Sequence, residues 1–569
     1  MFIWKGRVMK MKLKKFIVIA LAAALVLTGC SSKTTSKSST TSDSKTTEST
    51  DSGESTEDET EMFTDRDKEI GYDEENSVKI TLADDKSTSD SDSVQVEDNT
   101  VTITEEGTYI LSGSLSDGMV IVDVDEKEKV QLVLNGVDIT SKESVAIYVR
   151  SADKVFITTA ADSENQLTNG GTYTAIDDNN IDAVIFSKDD LTLNGAGTLT
   201  INAQAGHGIV SKDDLVVTCG TYDITAKKHG LAGKDSVRIA EGIFRITCGK
   251  DGIHGANSDD TTLGFVYIAG GTFEIAAEDD GIHTDSALTI EDGTIHITES
   301  CEGLEGAAID INGGEIEVTS TDDGINATSG NSSDSSSGGN DMFTAQEGVY
   351  VKISGGKLYV NASGDGIDSN GDLYVTGGET YVSGPTSGGD GALDYNGSAE
   401  ITGGIFLAAG SLNMAQNFGD TSTQGVMLVN TGSQEAGSTI ALTDSDGKEL
   451  MNRTSDKTYE CVVISCPDIT KGNTYRVTAG SFSQEITMEN TVYGESSMEG
   501  GSMGGPSDNA PFDGEPSGEV PSGEKPSGEK PSGEKPSGEM GDRPNDENGK
   551  PSGESSDANG DRPTPPDAK

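Results

Sequence analysis

The sequence predicts an all-β chain folded as a right-handed parallel β-helix, and three observations predict it. A Gly-Ile/Leu step recurs eight times, at Gly208, Gly230, Gly252, Gly281, Gly303, Gly324, Gly366 and, imperfectly, Gly391, with most copies 21 to 25 residues apart. A constant period of this size marks a solenoid with one coil per repeat. Each repeat also carries short apolar pairs of period two, such as Ile309/Ile311 then Ile316/Val318, and Val351/Ile353 then Leu358/Val360, which is strand patterning. Finally, Gly-Gly or Asp-Gly pairs (Gly270-Gly271, Asp292-Gly293, Gly355-Gly356, Gly377-Gly378) supply turn conformations between runs too short and too close to admit helices. Three strands and three turns per 22-residue repeat make one triangular coil. Stacked coils lie about 4.8 Å apart, with aliphatic columns filling the interior.

The segments follow in order. Lys10, Lys12, Lys14 and Lys15 precede the apolar run Phe16 to Leu27, then Leu27-Thr28-Gly29-Cys30. Residues 1–29 read as a secretion signal too short to span a membrane. The final four residues resemble the bacterial lipobox, which implies cleavage before Cys30, lipidation of its thiol and a place on the outer face of the cell membrane. Residues 30–64, rich in Ser, Thr and charge, read as a flexible tether.

The β-helix is expected over 65–420. Ser187-Lys188-Asp189-Asp190-Leu191 matches Ser211-Lys212-Asp213-Asp214-Leu215, and Ala146 to Ile157 forms another coil. The runs Val101 to Ile103, Tyr109 to Leu111, Val120 to Val122 and Val130 to Leu134 lack the Gly-Ile corner and are expected to cap the core. Strand-like runs over 421–490 without the period predict a small β-domain or cap. In 491–569, Pro-Ser-Gly-Glu recurs every five residues from Pro516 to Glu539, a disordered tail. A Ser/Gly/Asn insertion at 328–341 reads as a loop. Cys219, Cys248, Cys301, Cys461 and Cys466 lack metal-like spacing and read as buried thiols, with a Cys461–Cys466 pair open if a turn separates them.

The net charge is −57, so nucleic acid and anionic membrane surfaces are poor partners and cations are natural ones. The repeat arranges that charge in columns. The residue before each corner Gly is His207, His229, Asp251, Asp280, Glu302, Asp323, Asp365 and Asp390. Two places after it stand Val210, Ala232, His254, His283, Glu305, Asn326 and Asp368, and two places before it Asp279 and Asp322. Like charges 4.8 Å apart repel by about 1 kcal/mol in water and several-fold more at an effective dielectric near 20. Asn or Ser would serve a turn without that repulsion. Rigidly held oxygen ligands from several coils therefore point to Ca²⁺ on Asp251, Asp279, Asp280, Glu302, Asp322, Asp323, Asp365, Asp368 and Asp390. A transition metal is less expected, because an insertion separates His254 from His283 and no Cys or further His lies nearby in sequence.

The stretches Thr104 to Gly113, Val130 to Ile139 and Ser187 to Leu191, with the Asp-Gly-Ile coils, resemble a clostridial family of lipoproteins with a carbohydrate-binding parallel β-helix. The likeness covers about residues 78 to 490. It implies binding of cellulose and of acidic, polygalacturonate-type glycans, bound Ca²⁺, and a distant likeness to pectate lyases. His207 and His229 depart from the family's usual Asp, so the implied metal ligands do not extend to those two coils.

Trp4, the only tryptophan, lies in the signal region, leaving no indole for stacking on flat cellulose. Outward tyrosines are the substitutes: Tyr267 and Tyr374 in one column, Tyr359 and Tyr381 in another. Acidic glycans bridged by Ca²⁺ need fewer aromatics and are the favoured ligand. A β-elimination would also need a base, for which Lys228, Lys250 and Arg238 lie near the right edge. The expected protein is thus a monomeric, lipid-anchored, carbohydrate-binding module. The alternatives are a Ca²⁺-dependent pectate-lyase-like enzyme and a non-catalytic surface scaffold or adhesin.

Overall fold

The computed structural model describes residues 62–329, 344–386 and 388–497. The signal region, Cys30, nearly all of the tether, most of the 328–341 insertion and nearly all of the tail lie outside the described residues. Everything described belongs to one compact unit, Met1–Ser502.

The alternating residues do form short strands, three to a coil. In one coil these are Ile253–Gly255, Phe265–Ile268 and Thr272–Ala277; in the next, Ile282–Thr284, Ala287–Ile290 and Thr294–Glu299. Every strand of one coil pairs in parallel with its counterpart in the next, as Ile253↔Ile282, Val266↔Leu288 and Phe273↔Ile295 do. The result is a parallel β-solenoid. One face is a 13-stranded sheet running from Val94–Glu97 to Leu393–Tyr395, and the other strands of the coils belong to a 27-stranded sheet. The inward alternate residues are fully buried and join into one continuous core from Ile80 to Val463. Tyr222, Phe244 and Phe273 stack within it at 5.2 and 4.7 Å, a favourable offset for aromatic rings.

The glycines serve two purposes. The second Gly of each Gly-Gly or Asp-Gly turn has positive φ, 111° at Gly271 and 125° at Gly293, as the turn reading requires. The corner glycines do not. At Gly303 a Cβ would stand 2.2 Å from Val318 Cγ1 and 2.4 Å from the Gly324 carbonyl oxygen, so the corner needs glycine for close approach of the coils.

The runs expected to cap the N-terminal end are full coils: Thr100–Ile103 and Met119–Asp123 pair in parallel with each other and with Ile147–Ser151, in the coil expected at Ala146 to Ile157. Capping falls to the antiparallel strand Val94–Glu97 and to Thr88–Ser89. A four-residue helix, Asp65–Lys68, lies against the outer face. Its buried Asp67 accepts from Thr192 Oγ1 at 2.6 Å and pairs with Lys154 Nζ at 2.9 Å. At the other end, Tyr459–Ser465 adds antiparallel to the last coil strand, Ile405–Gly410. A four-stranded antiparallel sheet from Thr439 to Thr487 follows, with a second core around Leu442, Ile464 and Val477. Cys461 and Cys466 are both free thiols. Five residues apart on an extended run, they face opposite ways, Cys461 into the solenoid core and Cys466 into the second core.

Candidate metal and glycan site

The carboxyl columns lie along the 13-stranded sheet. Ile209, Leu231, Ile253, Ile282, Leu304, Ile325, Ile367 and Leu393 pair in unbroken register, which fixes what stands beside them. The column one residue later reads Val210, Ala232, His254, His283, Glu305, Asn326, Asp368 and Asp394. Asp394 was missed in the sequence because Ala392 replaces the corner glycine and shifts the last repeat by one residue. For the same reason Asp390 stands one place off the inner column, where Gly391 donates its N–H to Asp365 Oδ1.

In the inner column the aspartates cap the next coil, while Glu302 accepts from the Asn326 side chain instead. Asp251 Oδ1 accepts from the Asp280 N–H at 3.2 Å, Asp280 Oδ1 from the Glu302 N–H at 3.2 Å, and Asp323 Oδ1 from the Asp365 N–H at 2.6 Å. One oxygen of each of these aspartates is thus structural. Asp322 lies beside Asp323 and raises its carboxyl, whereas Asp279 is drawn to a lysine. Asp279 forms a close ion pair with Lys250.

The ladder has two chemically different halves. Toward the N-terminus, carboxylates meet imidazoles. Asp251 Oδ2 lies 2.6 Å from His254 Nδ1 and 3.2 Å from His229 Nδ1. His283 Nδ1 lies 2.7 Å from Glu305 and 3.1 Å from Asp280. Burial works against both ionised forms. The imidazole contacts nonetheless hold Asp251 well below the carboxylate range, and contacts to Asp280, Asp285 and Glu305 push His283 up to about 12. The expectation that His254 has no further histidine nearby is corrected here. His229 stacks on it with ring centroids 4.1 Å apart, because both face the same corner from successive coils.

Toward the C-terminus there are carboxyls only. Burial, then repulsion among Asp323, Asp365, Asp394 and Glu302, pushes Asp368 up to about 8. Burial, then Asp323, Asp394 and Asp390, push Asp365 to about 8; burial, then Asp322, Asp390 and Asp394, push Asp323 to about 6; and burial with Glu305, Asp280 and Asp323 raises Glu302 to about 8. Among the described residues no Lys or Arg pairs with Glu302, Asp323, Asp365, Asp368 or Asp394. Asn326 sits between Glu305 and Asp368 in the outer column. Its Nδ2 donates to Glu302 at 3.0 Å, while its Oδ1 is buried with no partner. An unsatisfied carbonyl oxygen among crowded carboxyls is a donor set for a hard cation.

The tyrosines are placed differently from expectation. Tyr267 and Tyr374 share a column but stand four coils apart, separated by Thr289, Asp310 and Lys352. Tyr267 packs on Phe63 at 6.0 Å, and Tyr374 meets Tyr350 edge-on at 6.5 Å. Tyr359 and Tyr381 are adjacent in register, yet the C-terminal sheet occupies them. The Arg453 guanidinium lies 3.8 Å over the Tyr381 ring and Tyr359 donates to Asp456, in a cleft of about 400 Å³. Open aromatic platforms for a sugar ring are therefore few.

The candidate bases are also engaged. Lys228 pairs with Asp182 at 2.7 Å, Arg238 with Asp214, and Lys250 with Asp279, whose hydrogen bond raises the lysine further. Lys457 is held down to about 8 by burial, but its ammonium caps the Ala362 carbonyl.

Residues 97–348 match the family described as carbohydrate-binding domain-containing protein. A protein of that description from Acetivibrio thermocellus is 40% identical over 152 residues, 26% of this chain and 53% of that protein. The chain thus spans about half the length of the curated relative it matches. Among solved structures, a gadolinium derivative of a polysaccharide lyase-like protein from C. thermocellum is 35% identical, covering 45% of this chain and 98% of that one, with a TM-score of 0.39. The family match runs over the coils that carry the histidine half of the ladder and on to Asn326, and it supports a carbohydrate-binding role.

Proposed function

We propose that the carboxyl half of the ladder binds Ca²⁺ and through it retains acidic polysaccharide of the polygalacturonate type, without cleaving it. The observations that favour this reading are the mutual repulsion that raises Asp323, Asp365, Asp368 and Glu302, with no Lys or Arg paired to them among the described residues, and the partnerless Asn326 Oδ1, which stands between Glu305 and Asp368 in the outer column. Ca²⁺ takes six to eight oxygens. The column would supply some of them and the uronate carboxylates of the glycan others, while a rigid solenoid repeats the geometry along a polymer. The lipobox-like sequence at Cys30 would display the module on the cell surface.

Cellulose is the weaker ligand, since Tyr267, Tyr359 and Tyr381 are engaged within the protein. Lyase chemistry is weaker still. A general base has to be neutral to take a proton, and Lys250 is held protonated by Asp279. Incubation with polygalacturonate, with and without EDTA, tests both halves of the proposal. Ca²⁺-dependent retention with no growth in the ultraviolet absorbance of unsaturated products supports it. Such growth would make the protein a lyase, and no retention in either condition would leave the scaffold reading.

A further inference from the structure

The histidine half of the ladder has donors unlike those of a Ca²⁺ site. His229, Asp251 and His254 place one ligand atom each within 4.8 Å of one another, and Asp251, Asp280 and His283 form a second such group sharing Asp251. Asp251 is 5% exposed, His229 17% and His254 24%, so the site is recessed but reachable. The rings of His207, His229, His254 and His283 stack in sequence, with centroids 4.8, 4.1 and 5.1 Å apart, which fixes the imidazoles without using their nitrogen lone pairs. One atom in the stack is unsatisfied. His207 Nδ1 is buried with no partner, although its Nε2 reaches Asp182 at 3.3 Å. At His229 the Nδ1 atom accepts from the Asp251 N–H at 3.2 Å, a bond that a metal on Nδ1 would replace.

We propose that His229, Asp251 and His254 form a binding site for a borderline divalent transition metal of the Zn²⁺ class, separate from the carboxyl-only Ca²⁺ site. Two imidazoles and a carboxylate are a ligand set such metals prefer and Ca²⁺ does not, and three protein ligands leave a position open to water or to a glycan oxygen. His254 Nδ1 stands 2.6 Å from Asp251 Oδ2, so a neutral imidazole that binds the metal through Nδ1 carries its proton on Nε2. The site is independent of the polysaccharide reading, because its test contains no glycan.

The test uses untagged chain stripped of metal, dialysed against micromolar Zn²⁺ in excess Ca²⁺, with bound metal measured by elemental analysis. One Zn²⁺ per chain is expected, retained by Asp365→Asn/Asp368→Asn and lost in His229→Gln/His254→Gln. Thermal melts and retained Ca²⁺ show whether the histidine variant is folded, and single His254→Gln provides a milder change. Wild-type chain that holds no Zn²⁺, or histidine variants that hold as much as wild type, would overturn the proposal.

Discussion

Replacing Asp365 and Asp368 together by Asn should stabilise the metal-free protein at alkaline pH while abolishing its response to Ca²⁺. Both carboxyls are raised from 3.8 to about 8, by burial first and then by neighbouring carboxylates. The sign follows from linkage. Between pH 4 and 8 the native state holds protons that the unfolded chain has released, so native stability falls as pH rises. Each group contributes up to about 1.4 kcal/mol per pH unit in this window. Part of the repulsion is common to the pair, so the double change should recover less than twice that slope. Asn keeps the acceptor that Asp365 offers the Gly391 N–H, so the coil itself should persist. The assay is a set of thermal melts in EDTA from pH 5 to 9, repeated with millimolar Ca²⁺. Wild type should lose stability with pH in EDTA and regain it with Ca²⁺, and the variant should show a flatter profile and little Ca²⁺ effect. Parallel pH profiles, or equal stabilisation by Ca²⁺ in both proteins, would refute the reasoning.

Gly303→Ala should destabilise the fold by about 1–3 kcal/mol in denaturant titrations, since its methyl overlaps Val318 and the Gly324 carbonyl. Asp67→Ala should cost about 1–3 kcal/mol, because it removes the nearer of Lys154's two carboxylate partners and leaves only Asp190 at 3.7 Å. Hydrogen bonds from Thr192 and Lys154 outweigh burial and lower Asp67 to about 2, so this contribution should be present above pH 4 and fade as pH falls through 2. Cys30→Ala should shift the protein from the membrane fraction to the soluble fraction in fractionated cells.

The solenoid was legible because its period forces every coil to repeat the same three contacts. Gly303, Ile309 and Ile316 each announce a position that its neighbours share. Single departures were harder to read. Ala392 in place of a corner glycine displaced the register by one residue, which hid Asp394 and misplaced Asp390. The split of the ladder into an imidazole half and a carboxyl half was written in the columns, yet the contact of His229 with His254 crosses from the inner column of one coil to the outer column of the next. A column-by-column reading does not pair them. The engagement of Tyr381 by Arg453 and of Tyr267 by Phe63 depends on segments outside the repeat, whose docking no periodicity predicts.

The central proposal, that this ladder holds acidic glycan through Ca²⁺, is tested most directly by affinity electrophoresis through polygalacturonate-containing gels. Wild type should be retarded with Ca²⁺ and run free in EDTA, and Asp365→Asn/Asp368→Asn should run free in both. Retardation that survives EDTA, or that the double variant shows in full, would contradict it.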